Sequence, residues 1–432
     1  MDFLHVAKVT PNKRHEYFLK NFCIISSREA PYDRQVASHY HARHAPMSDP
    51  ALETILPPAT TLPAAVARPA GAVASDHLID ALRGFAALLV AYFHCRQVTW
   101  IGMGAFHQTH ASLASPGTIA AWLTLPIAWG SAGVPIFFVI SGYCIHRSGA
   151  ARLLKNPDFR LDAGQFWLRR FVRIYPVLLA ALVLTFVADS FSLTMTPVSH
   201  KILDIGPRAF LVNLLSLQGV AGPTYGSNGA LWTLSLEVQF YLLYPLLFAV
   251  RRRVGLNAVL AGIAAINVIS ALTLARHDIV FFTSYWFSWM LGAWIAEARL
   301  RGSEGFRFAY VAAALFAVAG CVAFHFGQYG AFQLWACAFA CYLVKALARP
   351  AATGGVLMQA FSKLGAFSYS LYLIHLPLFV LLGSLLFHSA LQTSIWPSFG
   401  FTLAVLPIAW LFYRLFELPA LNVASRLRKR AA

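Results

Sequence analysis

The sequence predicts an all-α polytopic membrane protein, with about ten transmembrane helices and both termini cytoplasmic. Three observations predict it. Of the 432 residues, 58% are hydrophobic and only 12% charged, whereas a soluble domain carries roughly a quarter charged residues. Apolar segments approaching the ~20 residues that cross a bilayer core recur from Leu78 onwards. The loops between them alternate between basic and nearly uncharged, the asymmetry expected of cytoplasmic and outer loops.

Each element follows in chain order. Residues 1–77 hold 8 of the 22 prolines and show no helical period, so they read as a disordered N-terminal extension. Met47 opens a Pro/Ala-rich stretch and is a candidate true start. His39, His41 and His44 could ligate a metal, but composition explains them as well. The membrane domain runs over 78–420. Its expected spans lie near 78–98, 119–146, 171–189, 231–250, 256–276, 279–298, 307–326, 331–348, 366–388 and 397–417. The apolar piece at 208–220 is shorter and reads as re-entrant or interfacial. Residues 421–432 read as a basic cytoplasmic tail.

The loop charges support that count. With the N-terminus inside, the first inner loop and its flank receive Arg147, Arg152, Lys155, Arg160, Arg169, Arg170 and Arg173. Later inner loops take Arg251–Arg253, then Arg299, Arg301 and Arg307, then Lys345, Arg349 and Lys363. Outer segments hold little beyond Arg96, Lys201, Arg208 and Arg276. The formal charge of +17 is thereby located: residues 1–77 are nearly neutral, and the surplus belongs to the membrane portion. Nucleic acid is excluded as a partner. None of Cys23, Cys95, Cys144, Cys321, Cys337 and Cys341 forms a CxxC pair, and neither a disulfide framework nor a metal site is indicated. There is no P-loop, GxGxxG after a strand, or HExxH.

Ionisable side chains inside a bilayer are costly, so each is a functional candidate. Arg83 and His94 are eleven positions apart on the first span, on one face and roughly 16 Å apart along the axis. A guanidinium suits a phosphate and an imidazole suits general-base work; an Asp80–Arg83 ion pair and a bonded histidine are the structural alternative. Ser141, in the Phe-Phe-Val-Ile-Ser-Gly run that ends the second span, contacts substrate, acts as a nucleophile, or is bonded to its own backbone. Gly142 permits close backbone approach. Arg170 and Arg173 share a face at the mouth of the third span, where phosphate binding and positive-inside anchoring both account for them. Thr233, Glu237, Tyr241 and Tyr244 form one stripe, and the lone carboxylate there must pair or sit in a wet cavity. Ser368, Tyr372 and His375 form another, and Glu417 is expected to meet a basic neighbour. Cys95 points about 100° away from His94, so a Cys–His pair is not expected.

Taken together, this set resembles acyltransferase family 3, the bacterial membrane O-acyltransferases that decorate exopolysaccharides, O-antigens and Nod factors. The resemblance covers roughly 76–420. It rests on Arg83-x10-His94, the FFVISGY run at 137–143, RRFVRIYP at 169–176, WTLSLEVQFYLLYP at 232–245 and SYSLYLIH at 368–375. It implies His94 as the catalytic base, Arg83 as its essential partner, and Arg170 and Arg173 near the acyl-donor site. Ser141, Glu237, Tyr241 and His375 are carried as substrate-binding candidates. The N-terminal extension is unusual for the family, and the C-terminal extracytoplasmic domain of some members is not expected here.

The reading is an O-acyltransferase of the bacterial inner membrane. It takes an acyl group, acetyl in the first instance, from acyl-CoA as donor substrate, with no tightly bound cofactor and no metal. The acceptor is a hydroxyl of a lipid-linked or exported glycan, and further glycan-assembly proteins are possible partners. The rival is a transporter or flippase using the same intramembrane charges as a pathway. No internal repeat or paired broken helices support it.

Overall fold

The computed structural model describes residues 70–430 apart from 110, 111, 113, 275–278, 280, 329 and 350–354. Cys23, the three tail histidines, Met47 and Arg276 lie outside the described residues. A chain this apolar must satisfy its backbone internally, and it does so with helices. No strand occurs among the described residues, only the isolated bridges Trp100–Gln392 and Gln218–Gly222.

The helices are α1 (Ala70–Thr99), α2 (Gly102–His107), α3 (Pro116–Leu123), α4 (Gly133–Lys155), α5 (Ala163–Ser192), α6 (Pro207–Leu214), α7 (Trp232–Val254) and α8 (Leu256–Leu272). There follow α9 (Trp286–Leu300), α10 (Ala309–His325), α11 (Ala331–Ala346), α12 (Val356–Ala366), α13 (Ser368–Phe387), α14 (Trp396–Phe412) and α15 (Leu418–Arg430). Six helical segments are long and apolar enough to cross a membrane: His77–Thr99, Pro116–Lys155, Ala163–Ser192, Gly229–Val254, Ser368–Phe387 and Trp396–Leu427. The other four expected spans coincide with α8, α9, α10 and α11, which run to 17, 15, 17 and 16 residues.

Several expected boundaries are corrected. The 119–146 segment is not one helix. α3 gives way to a 3-10 stretch, Leu125–Ala132, with Trp129 at φ −98°, ψ 22°, and α4 then runs on to Lys155. The FFVISG run therefore lies inside α4, as do Arg147 and Arg152. The Asp162 side chain caps α5 by accepting from the Gln165 N–H at 2.9 Å. That start brings Arg169 and Arg170 into the helix rather than the loop before it. α6 has only 8 residues, a rise of about 12 Å and too short to span. The final span passes through a π-turn, Tyr413–Glu417, into α15, so residues 421–430 are helical and lie along α5.

Burial separates centre from rim. In the most apolar window of each, 72% of α1, 67% of α13 and 61% of the α7 segment are buried, against 28% of the last segment. α10 shows Val311, Leu315, Val318 and Val322 on one exposed stripe, a surface suited to lipid. Two helix pairs touch backbone to backbone. A Cβ on Gly142 of α4 would sit 1.9 Å from the Trp289 carbonyl oxygen, and one on Gly292 of α9 would sit 1.9 Å from that of Val139. Gly84 and Gly365 do the same for α1 and α12, each 2.0 Å from the opposite carbonyl. Such small-residue crossings are how helices associate where no hydrophobic force separates them from lipid.

Candidate active site

α1 carries both leading candidates, and the structure places them in different clusters. His94 is 2% exposed, and its Nδ1 lies 2.8 Å from Nε2 of His375 on α13, itself fully buried. The two rings are nearly parallel, 6° apart. His375 Nδ1 lies 3.1 Å from the Leu371 carbonyl. A carbonyl only accepts, so with both rings neutral His375 carries its proton on Nδ1 and accepts at Nε2. His94 must then donate from Nδ1, and its Nε2 carries the lone pair. That is the base-competent tautomer, set by a neighbour in the manner of orienting groups beyond the reacting ring.

α13 is itself held by a consequence of its sequence. Pro377 has no N–H, so the carbonyl four residues earlier, Leu373, has no intrahelical partner. Asn228 Nδ2 donates to it at 2.8 Å, and Tyr372 donates to the Ala230 carbonyl at 3.1 Å. The same device recurs in α7. Pro245 releases the Tyr241 carbonyl, and Trp167 Nε1 donates to it at 3.1 Å. Both prolines thus fasten a site helix to a neighbour.

The second cluster lies at the other end of α1. Gly130 packs on Phe93, and Gly133 packs on Ala86 and Val90, so α4 runs antiparallel to α1. Ser141 therefore falls at the depth of Arg83, not of His94. Ser141 Oγ and Tyr241 Oη both donate to Glu237 Oε1, and Trp289 Nε1 donates to Ser141 Oγ at 3.2 Å. Glu237 is fully buried, and its Oε2 has no hydrogen-bond partner. The serine thus has a carboxylate beside it rather than a bond to its own backbone.

Arg83 donates to Asp80 at 3.1 Å, to Ser368 Oγ at 3.3 Å and to the Gly365 carbonyl at 3.4 Å. The expected Asp80–Arg83 pair is therefore present, inside the protein. Arg170 stacks its guanidinium on Phe166 and Tyr241, 5.4 and 5.5 Å from the ring centroids. Arg173 is 4% exposed, and its Nε and Nη2 are buried with no partner. Glu417, presented by the π-turn, accepts from Ser370 N–H and Oγ–H at 3.1 and 2.6 Å. Unfilled guanidinium donors beside a row of arginines fit an anionic group such as phosphate.

Residues 76–414 match the sequence profile of the acyltransferase domain of acyltransferase family 3. The chain belongs to that family. Among its relatives, the peptidoglycan O-acetyltransferase OatA of Listeria monocytogenes is 35% identical over 126 residues, 27% of this chain and 19% of that one. BcsY of Komagataeibacter xylinus, named as a membrane-bound transacylase, is 27% identical over 367 residues, 81% of this chain and 83% of that one. The acyltransferase MdmB of Streptomyces mycarofaciens is 29% identical over 193 residues, 43% of each. The chain thus spans under a fifth of OatA and under half of MdmB. No solved structure matches it.

Within this acyltransferase domain, four features escaped the sequence reading. Trp289, the donor to Ser141, lies in a segment read only as apolar. His146, Arg251 and Arg301 all bond Glu297, at 2.9, 2.5 and 2.7 Å. Tyr244 contacts His146 at 3.2 Å and so leaves the Glu237 cluster to which its stripe assigned it. Asp189 is fully buried near the end of α5; a lone carboxylate in an apolar span was the signal that could have found it. Asn228 carries no such signal. Cys95 turns its thiol to the Ser398 carbonyl at 3.3 Å, away from His94 as expected.

Proposed function

We propose that this protein is a membrane O-acyltransferase that moves an acyl group, acetyl in the first instance, from acyl-CoA to a hydroxyl of a cell-surface or exported glycan. The observation that carries it is the chain Leu371–His375–His94, which leaves His94 Nε2 deprotonated in a buried site. The donor enters from the cytoplasm. Its phosphates meet Arg170 and Arg173, with Arg83 further in, and the pantetheine arm runs along α1 to present the thioester near His94. Eleven residues of helix separate Arg83 from His94, about 16 Å, a distance an extended pantetheine arm is suited to bridge. His94 Nε2 takes the proton from the acceptor hydroxyl as that oxygen attacks the thioester carbonyl; the carbon–sulfur bond then breaks and CoA leaves as the thiol after protonation. Ser141, Glu237 and Tyr241 brace the donor channel. In this reading the protein crosses the bacterial inner membrane ten times with both termini cytoplasmic, and glycan-assembly proteins deliver the acceptor.

The test is CoA release from acetyl-CoA by membranes containing the protein, with and without unmodified glycan from a strain that lacks it. Glycan-dependent release is expected. His94→Ala, at equal expression, is expected to lower it by roughly 10²–10⁴, the usual worth of a general base. Equal release by both proteins removes His94 from catalysis. No release with any donor or glycan favours a transporter.

A further inference from the structure

Behind His94 the chain does something unusual for a membrane bundle. Residues 224–230 are irregular or 3-10 in conformation, yet every one is buried. Non-helical backbone at that depth is tolerated only where protein encloses it or where it lines a cavity. Here it does both. A cleft partly open to the surroundings is lined by His94 together with Thr224, Gly226, Ser227 and Gly229. Val98, Leu203 and Leu376 add apolar surface, and Gln97 and Lys201 stand with the polar groups.

The strap is held from beneath at Ser227. Asp189, near the end of α5, accepts from the Ser227 N–H through Oδ2 and from the Ser227 hydroxyl through Oδ1, both at 2.6 Å. Gly226 has φ +53°, and a Cβ there would lie 2.0 Å from Asp189 Oδ2. Only glycine lets the strap close over that carboxylate. The next residue, Asn228, ties the strap to Thr185 at 3.0 Å and to the Leu373 carbonyl at 2.8 Å, two residues before His375. The strap is thereby bonded to the helix that carries His375.

We propose that the strap 224–229 is the acceptor-binding wall of this cleft, taking a sugar ring, and that Asp189 is the positioning residue that holds it. The inference rests on the acyltransferase reading above. The lining suits a pyranose: apolar side chains for its C–H face, and hydroxyls with strap backbone for its own hydroxyls. A ring seated there brings a hydroxyl to the wall that carries His94. Asp189 touches no substrate and acts through Ser227.

The experiment measures steady-state CoA release by the full-length protein in vesicles, varying acetyl-CoA and unmodified glycan from the strain lacking the protein in turn. Asp189→Asn and Ser227→Ala are expected to raise the KM for glycan about tenfold or more, as loss of a charge-assisted hydrogen bond allows. In Asp189→Asn, whose altered side chain does not line the cleft, the KM for acetyl-CoA and the slow glycan-independent release are expected to stay at wild-type values, which a merely misfolded protein would not maintain. Should Asp189→Asn fail to accumulate, Ser227→Ala decides on the glycan KM relative to the acetyl-CoA KM, since it keeps the backbone bond to Oδ2 and loses the hydroxyl that Asp189 holds in the wall. An unchanged glycan KM, or an equal rise in both KM values, overturns the proposal while the acyltransferase reading stands. A wild-type protein that releases no CoA in response to glycan overturns both.

Discussion

At His94 the position of one proton decides what the ring can do, and His375 decides that position. Replacing His375 with Leu removes the acceptor for the His94 Nδ1–H and leaves a buried donor unmet, a cost of about 1–3 kcal/mol in that tautomer. The ring then favours its other tautomer, with the proton on the nitrogen that should act as base. Glycan-dependent CoA release by His375→Leu is therefore expected to fall by roughly a hundredfold, within the range of general-base contributions. Gln places an amide oxygen near the old Nε2 and restores an acceptor, so His375→Gln is expected to keep more of the rate than Leu. The KM for acetyl-CoA should not move in either, because the arginines that face the donor lie a helix-length away. Equal rates for Leu and Gln would remove the tautomer from the argument and leave His375 as packing.

At the scale of elements, the internal prolines of α7 and α13, Pro245 and Pro377, are better understood as attachment points than as kinks. Pro377 releases the Leu373 carbonyl and Asn228 fills it, so the two residues should be energetically coupled. Asn228→Ala is expected to destabilise the protein by about 1–2 kcal/mol, because a buried carbonyl loses its partner. In a Pro377→Ala background the new Ala N–H can satisfy Leu373, and the same Asn228 change should cost less. A double-mutant cycle on thermal unfolding measures that difference; strict additivity would show that the two act independently. This is also where the sequence stops being informative. The six long apolar segments were legible because lipid imposes length and composition on a helix that can cross it. Arg83 and His94 were legible because a charge in such a helix stands out. The strap was not, since its bonds join Ser227 to a residue 38 positions away and Asn228 to one 145 away. Ser141 found its carboxylate 96 positions away, and no local pattern encodes that pairing. The interruption at 125–132 is a 3-10 stretch that seats Gly130 on Phe93, an outcome that depends on α1 and that no local pattern encodes.

At the scale of the whole molecule, the candidate residues divide between two ends of one helix, which gives the protein a direction. Arg83, Arg170 and Arg173 gather with Ser141, Glu237 and Glu417 at one end of the bundle. His94 and His375 sit beside the cleft at the other, under the segment that joins α5 to α7. If the arginines face the cytoplasm, as the basic loops imply, donor and acceptor approach from opposite sides and meet only inside the protein. That separation predicts a sidedness. In sealed inside-out vesicles, acetyl-CoA added outside is expected to support transfer to glycan enclosed in the lumen, while glycan added outside is not. In right-side-out vesicles the requirement reverses, with glycan outside and acetyl-CoA loaded within. The Lys201→Cys variant, at the rim of the cleft, should react with a membrane-impermeant maleimide only in the right-side-out preparation. Transfer from acetyl-CoA and glycan supplied on the same side of a sealed membrane would mean that both substrates use one entrance. The arginine cluster and the cleft could not then be the two ends of a single path.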